Sequence, residues 1–157
     1  MTDWSGEIAA LHLCARASQP MVAMDALSLI AGRGIEGDRY MLGTGYYSGK
    51  PEDGRQITLF EIESLEALLR DYDIALSPAE HRRNATVRGV PLNHLVGRRF
   101  RMGATLLEAT RLSIPCRYIE ELTGKAIFKP LMHRSGLNCK ILEGGVVRVG
   151  DVLAPAQ

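Results

Sequence analysis

The chain has 157 residues, of which 46% are hydrophobic and 24% charged, as in an ordinary globular domain with one core. Nineteen basic residues against eighteen acidic ones leave a formal net charge of +1, which excludes a global field for attracting nucleic acid or an anionic membrane. No apolar run reaches the roughly 20 residues of a membrane span, and the start lacks the order of a signal peptide. We therefore expect a cytoplasmic protein with a single domain over residues 1–157.

Two short apolar stretches without glycine open the chain, at 7–14 and 22–29, and their composition predicts strands that begin a sheet. The following segment, 32–54, combines several glycines with three tyrosines. It has too many glycines for the interior of an element and is too long for an idle connection. We expect a functional or partner-facing loop there.

The middle of the chain predicts one helix between short strands. Residues 56–60 are typical of a buried strand, and 61–72 place apolar side chains at helical spacing with charged ones on the opposite face. Further short strands are predicted at 84–88, 100–102 and 106–111, separated by turn-forming residues.

The last third continues this pattern of short elements. Residues 117–123 favour a helix that ends at Gly124, and short strands are predicted at 140–142, 146–149 and 152–154. Closure of a sheet removes its exposed edges. Together, the predicted elements indicate a mainly β domain, a closed or nearly closed barrel with two or three short helices.

The three cysteines, Cys14, Cys116 and Cys139, are odd in number and far apart, which argues against a disulfide framework and a structural zinc site. Cys116 follows a proline and immediately precedes the predicted helix, where unpaired N–H groups and the helix dipole would stabilise a thiolate. A thiolate can carry a persulfide or ligate a soft metal. The alternative is a small buried core residue.

A basic segment at 81–88 contains Arg82, Arg83 and Asn84. Guanidinium groups bind phosphate with two parallel hydrogen bonds, and an asparagine amide both donates and accepts, so this segment suits an anionic heteroaromatic ligand. The alternative is a solvated strand edge whose charges oppose aggregation. Arg98, Arg99 and Arg101 look more like solvated charges.

The segment 34–40 places Asp38 and Arg39 among glycines. This pattern suits either a close approach of the backbone to a ligand or a tight turn held by an ion pair between Asp38 and Arg39. No phosphate-loop spacing and no nucleophile-elbow motif are present, so nucleotide hydrolysis and serine hydrolase chemistry find no support.

Six segments, taken in order along the chain, resemble the MOSC family, and most closely its small bacterial stand-alone members. They lie at 32–40, 55–59, 83–84, 92–97, 115–116 and 147–151. The resemblance implies a barrel of the MOSC and pyruvate-kinase type, related to the terminal domain of molybdenum-cofactor sulfurases. It also implies that the functional thiol is Cys116.

In relatives that bind the molybdenum cofactor (molybdopterin), this cysteine ligates molybdenum, while an arginine and an asparagine hold the pterin and its phosphate. These roles fall on Cys116, on Arg82 or Arg83, and on Asn84, with Asp38 and Arg39 in the preceding loop. Strand register decides which of the two arginines faces the site. The resemblance leaves open whether the cofactor is held stably or transiently.

Three hypotheses follow from the resemblance. The first is a cofactor-binding or sulfur-carrier module, and the second is a molybdenum-dependent reductase of N-hydroxylated compounds. The third is a module that acts only through protein contacts. Since the chain has no room for a persulfide-forming or electron-transfer domain, we expect a sulfur donor protein or electron-transfer proteins as partners, and neither nucleic acid nor membrane.

Overall fold

The computed structural model describes residues 3–156. Its strands are β1 (Gly6–Leu13), β2 (Val22–Met24), β3 (Ala26–Ile30), β4 (Gly34–Ile35), β5 (Ile57–Glu61), β6 (Ala85–Arg88), β7 (Arg99–Met102), β8 (Thr105–Leu112), β9 (Leu137–Glu143), β10 (Gly145–Arg148) and β11 (Val152–Pro155). Its α-helices are α1 (Arg39–Leu42), α2 (Ile62–Tyr72) and α3 (Arg117–Thr123), and a 3₁₀ turn covers Leu92–His94.

Seven strands form a closed barrel in the order β1, β11, β7, β8, β9, β5 and β6, with β6 pairing again with β1. The neighbours are antiparallel except β5 and β6, which are parallel and connected through α2. Strand β2 extends the sheet beyond β1, while β3, β4 and β10 form a separate three-stranded sheet. The predicted mainly β barrel with short helices is confirmed.

Alternate side chains of the strands fill the interior of the barrel. In β7, Phe100 and Met102 are fully buried while Arg99 and Arg101 point outward, because successive side chains of a strand face opposite sides. The other barrel strands supply aliphatic side chains to the same interior. This core includes Ile8, Leu11, Ile57, Leu59, Val87, Leu107, Leu137, Ile141 and Leu153.

A second apolar cluster lies outside the barrel and fixes the position of α3. It joins Phe60 of β5 and Leu68 of α2 to Ile119 of α3. Cys116, immediately before α3, packs against this cluster from its edge. The barrel wall and α2 therefore determine where the thiol lies.

Several predicted strand boundaries differ from the structure, and the strand predicted at 140–142 spans Leu137–Glu143. The strand expected at 22–29 is interrupted at Asp25, because β2 pairs with β1 whereas β3 pairs with β10 in the other sheet. The strand expected to begin at Asn84 begins at Ala85. Within residues 3–156, the longest helix has 11 residues, and no helix meets the length and apolarity required to cross a bilayer.

Candidate functional site

A cavity of about 120 Å³ lies where β8 ends and β9 begins, beside the segments that precede β5 and β6. Several distant parts of the sequence line this cavity, and none of the lining residues is an aspartate or a glutamate. The lining residues are Arg39, Tyr40, Tyr47, Arg55, Thr58, Arg82, Arg83, Arg111, Ser113, Ile114, Cys116, Tyr118, Ile119 and Asn138. The thiol of Cys116 thus shares a cavity with five arginines.

Cys116 occupies the N-cap position of α3, as the sequence predicted, with extended backbone angles of φ −130° and ψ 149°. Its side chain makes no capping hydrogen bond, so the sulfur is free to face the cavity. Cys116 is half-buried, and the lining residue Ile114 is 69% exposed, so the cavity opens to solvent. Cys14 and Cys139 are buried, and burial raises the pKa of Cys139 far above its usual value.

Tyr47 stands next to the thiol and was not singled out from the sequence. Burial raises the pKa of Tyr47 to about 12, and the neighbouring Cys116 contributes to the same shift. The Tyr47 hydroxyl therefore keeps its proton at neutral pH. The abundance of tyrosines in 32–54 pointed to this loop as functional, but nothing local separated Tyr47 from its neighbours.

Both Arg82 and Arg83 line the cavity, so strand register does not select one of the two arginines. Their segment precedes β6, so the alternation of a strand does not apply to it. Arg82 has a φ of +65°, in the left-handed region that non-glycine residues rarely adopt. This local turn lets two consecutive arginines reach the same space.

The guanidinium of Arg82 is buried, with the residue only 6% exposed. Its Nη1 donates to the carbonyl of Gln19 at 2.7 Å, and its Nη2 donates to the sulfur of Cys14 at 3.4 Å. The guanidinium carbon lies 5.9 Å from the centre of the Tyr118 ring. All these partners are neutral, and no carboxylate among residues 3–156 pairs with Arg82.

Arg83 connects two chain segments at the edge of the cavity. Its Nε donates to the carbonyl of Ser135 at 3.1 Å and its Nη2 to the carbonyl of Ile114 at 3.3 Å, two residues before Cys116. Burial lowers the pKa of Arg83, and the neighbouring Cys116 opposes that effect. Arg83 thereby helps to fix the backbone that carries the thiol.

His81 holds the backbone of this basic segment. Its Nδ1 accepts the N–H of Arg83 at 2.9 Å, so its proton lies on Nε2, which is 2.7 Å from the hydroxyl of Thr86. Burial lowers the pKa of His81 well below its usual value, and the imidazole is therefore neutral at neutral pH. A stack on Phe60, with ring centres 4.2 Å apart, completes its surroundings.

Asp38 and Arg39 form the ion pair that the sequence offered as one alternative, with Arg39 Nη1 donating to Asp38 at 3.0 Å. Asp38 also accepts backbone N–H groups from Cys14 and Tyr40, so it caps α1. Arg39 Nη2 donates to the carbonyl of Arg82 at 3.1 Å. Asp38 lies behind the cavity wall, whereas Arg39 is part of that wall.

Asn84 also lies behind the wall. Its Oδ1 accepts from the backbone and side chain of Thr58 at 3.1 and 3.2 Å, and its Nδ2 donates to the carbonyl of His12 and to Asp38. Protein partners thus use both ends of the amide. Asn84 is 2% exposed and supports the site from within the barrel.

The remaining cavity residues come from places that sequence reasoning did not connect. Arg55 and Arg111 both approach Glu52, at 3.7 and 2.9 Å. Tyr118 stacks on Tyr46 with ring centres 4.0 Å apart, so the 43–50 segment is attached to α3. Because the segment before β5, strand β8 and helix α3 contribute these side chains from distant positions, no local spacing could have revealed them.

A larger cavity of about 310 Å³ adjoins the first, since Tyr40, Tyr47 and Arg55 line both. Within residues 3–156 there is no group of three or more His, Cys, Asp or Glu side chains positioned to hold a metal ion. The soft ligand available to a metal in the first cavity is the sulfur of Cys116.

The fold and site define a small mainly β protein with an accessible thiol in a cationic cavity. The family model of the MOSC domain matches residues 46–154, well over half of the sequence, and the chain belongs to this family. No curated protein shows significant sequence similarity to it.

Crystal structures of bacterial proteins share this fold. The YuaD protein from Bacillus subtilis aligns with a TM-score of 0.81 at 19% identity over 99% of both chains. YiiM from Geobacillus stearothermophilus aligns with a TM-score of 0.70 at 13% identity, over 97% of this chain and 75% of that one. YiiM from Escherichia coli gives 0.68 at 17% identity, over 100% and 71%. At these identities the similarity shows the fold.

Proposed function

We propose that the protein binds the molybdenum cofactor in the cavity around Cys116, with the Cys116 sulfur as a ligand to molybdenum. The observation that carries this proposal is an accessible thiol in a cavity lined by five arginines and no carboxylate. A thiolate is a soft metal ligand, and guanidinium groups bind phosphate. The membership of the MOSC family supports the same assignment.

The residues present fit such a group in charge. Arg82 is a buried cation whose partners in the described chain are neutral, and a buried charge is costly without an opposite charge. An anionic ligand would supply that charge. Arg39 already has a partner in Asp38, so Arg82 is the stronger candidate for binding the phosphate.

The residues fit in size as well. The first cavity alone is small for a tricyclic pterin that carries a phosphate, but the adjoining cavity of about 310 Å³ shares three lining residues with it. The residues that line both cavities, Tyr40, Tyr47 and Arg55, are all only partly buried. An extended ligand would occupy both spaces, with its phosphate in the first, because the carboxylates Glu52 and Asp53 line the second.

Each residue then has a distinct task. Cys116 provides the sulfur ligand, Arg39 and Arg82 hold the anionic group, and Arg83 positions the backbone before the thiol. The Tyr47 hydroxyl keeps its proton and lines the cavity together with Cys116. The cofactor, when bound, would supply a metal centre capable of two-electron chemistry, for which electrons come from a partner protein.

The test is elemental analysis of molybdenum together with pterin fluorescence on protein purified from a cofactor-producing host. The wild type, Cys116→Ala and the matched control Cys139→Ala are compared. Cys139 is buried in β9, so its variant removes a thiol without touching the cavity. We expect metal and pterin in the wild type and in the Cys139 variant, and loss of the metal in Cys116→Ala.

Equal metal content in the wild type and Cys116→Ala would rule out the proposed ligand, and absence of both metal and pterin from the folded wild type would rule out the cofactor. If the cofactor is present, reduction of an N-hydroxylated base with added electron-transfer proteins tests the reductase hypothesis.

A further inference from the structure

The cavity has the features of a binding site for a small divalent anion. Arg82 is only 6% exposed and is one of the residues that line the cavity, and no carboxylate of residues 3–156 pairs with it. Arg83 is a second cavity cation without a carboxylate partner in the described part of the chain, because its side chain donates to two carbonyls. The two charges are adjacent in sequence and face the same space. An anion with two charges would balance both.

The thiol of Cys116 faces the same space and is open to solvent beside Ile114. The nearest cavity, at about 120 Å³, has room for an anion of a few heavy atoms next to the sulfur. An anion held by Arg82 and Arg83 therefore lies beside a nucleophile. The other two thiols do not share this setting, since Cys14 and Cys139 are buried and neither lines the cavity.

We propose that the protein, when free of cofactor, accepts a small dianionic sulfane-sulfur donor of the thiosulfate type, whose outer sulfur Cys116 removes to form a persulfide. This activity goes beyond cofactor binding. It also removes the need for a protein that delivers sulfur, because the donor is a diffusible anion held by arginines.

The step balances without an added oxidant. The Cys116 thiolate attacks the outer sulfur of thiosulfate, a bond forms between the two sulfurs, and the S–S bond of thiosulfate breaks. The electron pair of that bond leaves on sulfite, which remains a dianion beside the arginines. A second nucleophile, either a thiolate or cyanide, then attacks the outer sulfur of the persulfide and restores the Cys116 thiolate.

The groups around the sulfur suit both halves of this reaction. Arg82 and Arg83 stabilise the dianion as donor and as leaving sulfite, since their charges are fixed in place before the reaction. The protonated hydroxyl of Tyr47 lines the same cavity and adds no negative charge beside the thiolate and the dianion. Exposure of Ile114 leaves a path for the second nucleophile.

The experiment uses the full chain produced in a host that lacks cofactor synthesis. The protein is incubated with thiosulfate, released sulfite is measured, and intact mass is recorded before and after treatment with a reducing thiol. Turnover is measured as thiocyanate formed from thiosulfate and cyanide. We expect a mass increase of one sulfur atom that the reductant removes, and none in Cys116→Ser.

A set of arginine variants tests the anion site. Arg82→Gln should raise the KM for thiosulfate by roughly tenfold or more, since it removes charge-assisted hydrogen bonds, whereas Arg82→Lys keeps the charge and should recover most of that loss. The matched control is Arg117→Gln, because Arg117 is next to Cys116 in sequence but pairs with Glu120 and does not line the cavity. Its KM should equal that of the wild type. Thermal melting establishes that each variant is folded.

Competition by sulfate provides a second measurement that depends on no variant. Sulfate should compete with thiosulfate, while a monovalent anion at equal ionic strength should not. The inference is overturned if the folded wild type releases no sulfite, if Cys116→Ser retains sulfur transfer, or if sulfate and the monovalent anion act alike. The cofactor proposal fails separately, on molybdenum content, so either result leaves the other to stand.

Discussion

Arginines on the outer face of the barrel and arginines at the cavity differ in their exposure and in their charged partners. On the outer face of β7, Arg99 and Arg101 pair with Glu108 at 2.9 Å and Glu143 at 3.1 Å, and their side chains are 63% and 44% exposed. At the cavity, Arg82 is buried and its partners are neutral. Both sets belong to one mainly β chain with almost no net charge.

This difference in burial shows where the fold tolerates the desolvation cost of a charged side chain. An exposed ion pair contributes little to stability, because solvent already satisfies both charges. A buried cation without a carboxylate loses its hydration and recovers only part of that loss from neutral acceptors. The outer arginines are thus satisfied by solvent and their carboxylate partners, whereas Arg82 and Arg83 in the cavity call for an anionic ligand.

The largest expected effect concerns Asp38, the buried carboxylate that pairs with the cavity residue Arg39. Asp38→Asn leaves Arg39 buried without its counter-charge and weakens the cap of α1, so the free energy of unfolding should fall by about 3 kcal/mol or more. Urea denaturation measures the change. Glu66→Gln, which removes the partner of Arg88 in an exposed pair, is the control and should cost less than about 1 kcal/mol. Equal losses in the two variants would break the comparison.

The next effect concerns Glu61, a partly buried carboxyl group whose charged neighbour, Glu63, has the same sign. Burial and the nearby Glu63 raise the pKa of Glu61 from 4.5 to about 7. The folded state therefore holds its proton longer than the unfolded state, and stability should fall as the pH rises from 4.5 to about 7 and level off above.

Glu61→Gln should abolish that fall and raise stability at pH 8 by about 2 kcal/mol, after allowance for partial solvent screening. Thermal melts of both proteins between pH 4 and 8 provide the measurement. A wild-type profile that rises with pH over this window would contradict the assignment.

A smaller effect is expected at the aromatic contact beside the cavity. Tyr46→Ala removes the stack on Tyr118 that attaches the 43–50 segment to α3, and should cost about 1 kcal/mol. Tyr72→Ala, an equally exposed tyrosine at the end of α2, is the matched control. Denaturation midpoints measure both. If the two variants lose the same stability, the stack does not hold the segment.

The smallest effect is expected on the outer face. Arg101→Gln should change the free energy of unfolding by less than about 1 kcal/mol, and 1 M salt should reduce even that difference. A loss as large as that of Asp38→Asn would show that outer pairs matter as much as buried ones, and the distinction between the two sets would disappear.

The sequence was sufficient where a feature depends on neighbours along the chain. The helix predicted at 117–123 matches α3, and the position of Cys116 at its start follows from the Pro115 step and Gly124. The barrel was predictable in kind because many short strands must bury one face each. The helix at 61–72 differs from α2 by one residue, since its apolar spacing is strong.

The cavity was predictable only in part. Arg55 and Arg111 reach it because β5, β8 and β9 are neighbours in the barrel, and no sequence pattern specifies that order. The left-handed turn at Arg82 is set by tertiary contacts with Gln19 and Cys14, which outweigh its backbone preference. For the same reason, the position of Asn84 behind the wall required the structure.

The pairing of β1 with β11 has a consequence for how the molecule folds. Gly6 lies opposite Leu153, so the barrel closes only when the first strand, β1, pairs with the last strand, β11. The pairing of β1 with β6 joins segments much nearer in sequence than the pairing of β1 with β11. Contacts so distant in sequence slow folding. Barrel closure is therefore a late step of folding, because it depends on the pairing that joins the two barrel strands most distant in sequence.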